Sequence, residues 1–145
     1  MKINALLVLA ALLMLPAANA HARDTRHQLP VADVLGNAEY AAQLEGVQFF
    51  FADQAHPEVA QDFGEWKTNK KTNAFGKSDE AACQWVMLSA LLSLHQRALS
   101  LGGDAVVGIQ SNYKNKEFSS QTQYECGAGG LMAGVALKGN VVKLK

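Results

Sequence analysis

The densest chemical signal in the chain is GAGGLMAG, Gly127 to Gly134, because a run of glycines can cradle a phosphate on its backbone N–H groups. A dinucleotide fingerprint requires G-x-G-x-x-G between a strand and a helix. Counting from Gly127 and Gly129, the third glycine falls at position 132, which is Met132. A P-loop ends in Gly-Lys-Ser/Thr, whereas Lys138 is followed by Gly139. The residues after the glycines have a β-pattern, with no helix to offer its N-terminus to a phosphate. The run therefore reads as steric: Gly127, Gly129 and Gly130 permit a bulge or bend after Cys126, and Gly134 permits close approach of a helix to the sheet. No nucleotide and no cofactor is expected.

Other reactive residues are dispersed. His21, His27, His56 and His95 show neither the H-E-x-x-H spacing nor a Cys-x-x-Cys partner, so no metal site is expected. No G-x-S-x-G elbow exists for a serine hydrolase. Asp53, His56 and Glu58 would do hydrolytic work only by converging in a cleft, and the pairs Asp53/Glu58 and Asp79/Glu80 are accounted for by a turn and a helix cap. No catalytic residue is assigned.

The two cysteines, Cys83 and Cys126, take their meaning from where the chain goes. Lys2, an apolar stretch from Ile3 to Leu15 and the small residues Pro16 to Ala20 form a secretory leader with an A-x-A end. Cleavage after Ala20 is predicted, with the mature chain starting at His21 in the periplasm or outside the cell. The apolar run falls short of the roughly 20 residues of a spanning helix, and no later segment reaches that length. In an oxidising compartment Cys83 and Cys126 should form one disulfide. Loss of Lys2 turns 13 basic residues into 12 against 13 acidic, a balance without the global field that attracts nucleic acid or anionic lipid. About 125 residues remain, enough for one core.

These groups must be positioned by a small set of elements. Residues 21–46 are a loosely attached N-terminal segment with a short helical stretch in Val31 to Leu44, and 47–145 form one α+β domain. Val47 to Ala52 is a strand. A weaker strand covers Ala60 to Thr68, and Lys67 to Asn73 is a solvated polar turn. Ser78 caps a long helix, Ser78 to Leu101, with Asp79 and Glu80 at its positive end and Gly102-Gly103 as its stop. Cys83, Val86, Met87, Ala90, Leu94 and Leu101 share the face that lies on the sheet. Asp104 to Gln110 is a strand with Ala105, Val107 and Ile109 on one face. Phe118 to Cys126 alternates, with Gln121, Gln123 and Glu125 on a wet side and Cys126 on the covered one. Two periodicities, 2 and 3.6, thus bring Cys126 and Cys83 together. The last strand is Leu131 to Leu137, continued by Val141 to Leu144. The fold class is α+β: a small antiparallel-rich sheet packed on one long helix, with one disulfide.

The helix has an unusual second stripe. Ser89, Ser93, Gln96 and Ser100 are polar yet uncharged, flanked by Trp85, Leu88, Leu92 and Leu99, where an exposed helix would carry Lys and Glu. The stripe is covered either by the N-terminal segment or by a subunit or partner. His95 reads as a helix-surface residue. A second partner surface is the loop Tyr113 to Phe118, with Lys114 and Lys116. The candidate partner surface is therefore Trp85, Ser89, Ser93, Gln96, Tyr113, Lys114 and Lys116.

From about Lys67 onward, the segments KTNAFGKSDEAAC, GGDAVVGIQSNYK and YECGAGGLMAGVALKG resemble a group of small exported bacterial proteins of unassigned function. Such relatives often carry an excinuclease ATPase label, which a chain without a P-loop or paired zinc cysteines does not fit. More distantly, the chain resembles YbjQ-like domains and the RcsF envelope-stress lipoproteins. In that comparison Cys126, eight positions before Gly134, matches a disulfide-bonded sensor cysteine, and Cys83 matches its partner more loosely. The lipidation cysteine and a second disulfide are missing. The resemblance implies an α+β fold, and the oligomeric YbjQ-like relatives imply a subunit contact on the helix. The expected function is a non-enzymatic, exported binding domain of the cell envelope, whose partner is an unknown envelope protein or a second copy. The alternative is an oligomeric small-ligand or metal binder.

Overall fold

The computed structural model describes residues 22–145; the expected leader, residues 1–20, and His21 lie outside the described residues. In chain order the elements are β1 (Thr25–Pro30), α1 (Ala32–Leu35), α2 (Ala38–Gln43), β2 (Gln48–Phe51), β3 (Val59–Asn73), α3 (Asp79–Leu101), β4 (Ala105–Ser111), β5 (Gln123–Ala128) and β6 (Met132–Leu144), with a 3-10 turn at Tyr113–Asn115. The fold is α+β, as expected, with a six-stranded sheet, one long helix and one disulfide.

β6 is the spine of the sheet. Along one side it pairs antiparallel with β3 over nearly its whole length, from Asn73 opposite Met132 to Val59 opposite Leu144. On its other side β5 takes the first few residues and β4 the last ones. β1 then pairs antiparallel with β5, and β2 adds to β4 as the one parallel pair among the described strands. Two short ladders sharing one long strand must diverge, so the sheet curls around α3.

α3 begins where the capping serine predicts, with Ser78 Oγ accepting the Ala81 N–H at 3.1 Å. It stops at Gly102, whose φ of 80° is the left-handed conformation that glycine adopts without a Cβ clash. Cys83, Val86, Met87, Ala90 and Leu94 are buried against the sheet, as the helical spacing requires. Burying each large apolar side chain contributes about 1.5–3 kcal/mol. Cys83 in the first turns of α3 and Cys126 in β5 form the disulfide, with 5.9 Å between their Cα atoms and a sequence separation of 43.

Four expectations need correction. The N-terminal segment is not loose. β1 is a ladder strand, the Val31 N–H donates to Thr122 O at 2.9 Å, and Val31, Val34 and Leu44 are buried. His95 is not on the surface: α1 and the turn after α2 cover its flank of α3, and its ring Nε2 bonds Glu45 O at 2.7 Å. The Lys-Thr-Asn doublet is not a turn but the continuation of β3 to Asn73, because antiparallel pairing with β6 overrides its low β-propensity. Glu125 is not wet; it is buried, its N–H bonds Ser111 Oγ at 2.9 Å and its carboxylate meets Arg26 at 3.1 Å.

Strand boundaries shift for local reasons. A register break between Val107 and Gln110 puts both Val106 and Ile109 in the core, so β4 does not alternate as a straight strand. Residues 118–122 are outside β5: Phe118 bridges to Ser111, and Thr122 O accepts the Val31 N–H at the end of the β1–β5 ladder. β6 runs unbroken through Lys138-Gly139-Asn140.

Candidate functional site

The predicted surface residues are brought to two places on opposite faces of the sheet. Trp85, Ser89, Ser93 and Gln96 lie on one flank of α3, on the inner face. Tyr113, Lys114 and Lys116 lie on the outer face.

The helix flank stands beside the free edge of β3. Pairing with β6 in register, and alternation along the strand, put Trp66, Thr68, Lys70 and Thr72 on the side that faces α3. Between strand and helix runs an open groove of about 330 Å³ lined by Trp66, Lys67, Ser93, Leu94, Gln96, Arg97 and Ser100. The Arg97 guanidinium stacks on the Trp66 ring at 4.0 Å from its centroid. Such stacking fixes the guanidinium plane and leaves its N–H edge outward. Ser89 Oγ donates back to Trp85 O at 3.2 Å and Ser100 Oγ to Arg97 O at 2.8 Å, so these hydroxyls are kept on the helix rather than spent on the strand. Trp66 Nε1 and Thr68 Oγ1 are buried with no hydrogen-bond partner among the described residues. Trp85 projects outward, 51% exposed.

The opposite flank of α3 resolves part of the question that the uncharged stripe raised. There the N-terminal segment does cover the helix, over Leu88, Leu91 and His95, but Ser89, Ser93, Gln96 and Ser100 are not beneath it.

On the outer face Tyr113 lies flat across β5 and β6. Gly127 and Gly134 are directly paired there, and a Cβ added to Gly127 would stand 2.2 Å from Tyr113 Cζ. The glycine run is thus steric, as expected, but the group that comes close is a tyrosine ring at Gly127 and Gly134, not the helix. Gly129 and Gly130 serve the hairpin turn, where the Gly129 N–H donates to Met132 O at 2.8 Å. Tyr113 OH donates to Asp24 Oδ1 at 3.2 Å, Lys114 pairs with the same carboxylate, and Arg26 lies 5.0 Å from the ring centroid. Burial, and then Asp24, push the Tyr113 hydroxyl pKa up, while the Lys114 hydrogen bond holds Asp24 below the usual carboxylate range. A largely apolar groove of about 690 Å³ opens beside the ring, walled by Leu131 and Met132 with Lys71 and Arg23 at its edge. Lys116 ends the 3-10 turn and is exposed.

The residues considered for hydrolysis do not converge. Asp53 accepts from Gln121 at 2.8 Å, His56 Nδ1 bonds Pro57 O at 2.8 Å, and Glu58 pairs with Lys145 at 3.0 Å. Asp79 is used structurally: Arg23 and His27 each reach it at 2.8 Å, tying β1 to the start of α3, and Arg23 first and His27 second depress its pKa far below the ordinary value. Among the described residues no group of three or more His, Cys, Asp or Glu stands close enough to hold a metal ion. No described helix is long and apolar enough to cross a membrane.

Sequence reasoning missed Trp66 and Lys70 as partners of the helix stripe. The signal was the two-residue spacing of Trp66, Thr68, Lys70 and Thr72, hidden because three of the four are polar.

Comparison with protein families, with curated proteins and with solved structures finds no match.

Proposed function

We propose that this chain is an exported, non-enzymatic binding domain of the bacterial cell envelope that works through protein contacts on the open flank of α3. The observation that carries this reading is the groove between α3 and β3. It is lined by uncharged Ser and Gln side chains and by an Arg97–Trp66 stack whose guanidinium N–H groups have no partner among the described residues. A leader ending at Ala20, cleavage to a periplasmic or secreted product, and kinship with the RcsF-like and YbjQ-like groups belong to the same proposal; the disulfide, which persists in oxidising compartments, supports the export.

Site-specific photo-crosslinking in intact cells tests it. A photoreactive residue at Gln96 should give a discrete protein adduct that the same residue at exposed Ala32 does not. Equal labelling from both positions, or none from Gln96, would sink the reading.

A second reading, a small-ligand binder, is favoured by the apolar groove beside Tyr113. Its mark would be a small molecule retained through purification and lost on Met132→Lys, with crosslinking from Gln96 absent.

A further inference from the structure

The groove beside α3 has one wall that is itself an unfinished sheet. β3 spans fifteen residues and pairs with β6 alone, so along its other edge no strand meets it among the described residues. A strand with one neighbour leaves every second pair of backbone N–H and C=O groups without a sheet partner, a template for one more strand. The other two edges, β1 with six residues and β2 with four, are short. From Glu65 to Asn73 the β3 ladder has no bulge, giving a straight run of nine positions beside the helix.

Resting on the binding-domain reading above, we infer that an acidic, extended polypeptide segment of a partner protein adds to the free edge of β3 as a seventh strand, with every second side chain lying between β3 and α3. Charge chooses the occupant. Lys67, Lys70 and Lys71 line the edge strand and Arg97 faces it from α3, and none of these four forms an ion pair among the described residues. Of the carboxylates around them, Glu65 is on the same strand, Glu117 is already paired by Lys138 with its pKa lowered also by Lys67, and Asp24, which lines the outer groove with Lys71, is already paired by Lys114. Lysines on an edge strand also discourage pairing with another copy: two β3 strands related by a two-fold axis at Asn69 would set Lys67 opposite Lys71. An acidic strand meets them with opposite charge on both faces, at Lys70 on the α3 side and at Lys67 and Lys71 on the outer side. Strand addition draws affinity from main-chain hydrogen bonds and specificity from pockets that take alternate side chains. Here the groove over Trp66, walled by Ser93, Gln96 and Arg97, is such a pocket. Arg97, held flat on Trp66, presents its fork of donors to a carboxylate entering there.

The mature protein selects from a random decapeptide library displayed on phage, and the enriched peptides are measured by calorimetry and by amide hydrogen exchange. Enrichment of Asp and Glu with avoidance of Pro is expected, together with slowed exchange at β3 edge amides. Methylating alternate backbone nitrogens of a selected peptide should weaken binding tenfold or more. The double variant Lys70→Glu/Arg97→Glu should do the same, as should Ser93→Trp, which fills the groove without changing charge; unaltered thermal melts certify all of these proteins as folded. Neutral or basic winners, indifference to backbone methylation, or no enrichment at all would overturn strand addition. Protection confined to Tyr113 and the β5–β6 hairpin would overturn it too, while leaving a binding domain with its site on the other face. Protection of β3 in the free protein that rises with its concentration, with dimers in ultracentrifugation, would make the occupant a second copy. Failure of the binding-domain reading itself shows separately, in the crosslinking from Gln96.

Discussion

The two flanks of α3 both lack Lys and Glu and end in opposite states. On one, Leu88, Leu91 and His95 are sealed beneath α1 and the turn after α2, and the imidazole is satisfied by Glu45 O. On the other, Ser93, Gln96 and Ser100 look across an open groove at β3, and the cation Arg97 lies on an indole rather than against a carboxylate. The sealed flank explains why an apolar helix is stable with its sides far from the sheet. The open flank shows that exclusion of Lys and Glu does not require burial: Ser89 and Ser100 bond back to their own helix.

The disulfide fixes α3 against β5 and so positions both flanks. Cys83→Ala/Cys126→Ala should cost about 4 kcal/mol by loop-closure entropy for a separation of 43. Urea denaturation of the oxidised protein against the double variant measures it. A loss under about 1 kcal/mol would mean that packing alone holds the helix in place.

Next come the flanks themselves. Leu91 is fully buried, so Leu91→Ala should cost about 2–5 kcal/mol, whereas Ser93→Ala on the groove side should stay within about 0.5 kcal/mol. Equal effects in thermal melts would erase the distinction between a structural flank and a free one.

How much of this was legible in the chain differs by flank and by face. Ser78, the acids after it, the 3.6-residue spacing and Gly102 marked α3 to its ends, and crossing that spacing with the alternation around Cys126 paired the cysteines. β1 was hidden because its burial alternates between half-buried and exposed, and its strand identity comes from β5 across the ladder, not from its own residues. β3 was hidden likewise: Lys67 to Asn73 has a turn-like composition, and only pairing with β6 over the same span keeps it extended. Half of the groove was therefore readable, the half on the helix. The residues facing it across the gap needed a partner strand in view before their spacing meant anything.

The outer face gives a smaller, steric contrast. Gly127→Ala would drive a methyl into the Tyr113 ring, so a loss of about 1–3 kcal/mol is expected, with changed tyrosine fluorescence as the ring is lifted. Gly130→Ala has nothing within 4 Å of the new Cβ and should be near neutral. If both behave alike, the tyrosine does not rest on the glycines.

The smallest effect is electrostatic and lies at the N-terminal end of α3. Asp79 has its pKa depressed below the ordinary 3.8 by Arg23 and then His27, so the folded state binds its proton less readily than the unfolded chain. A depressed carboxylate contributes stability that is fully present above the unfolded value and is lost as pH falls through 3.8 toward the folded one. Arg23 is about half exposed, which screens the pair and keeps the contribution modest. Asp79→Asn should therefore flatten the fall in melting temperature below pH 4 and change little at pH 7 beyond the lost helix-end charge. A wild-type profile that stays level through that range would show that the tie between β1 and α3 is carried by the ladder with β5 alone.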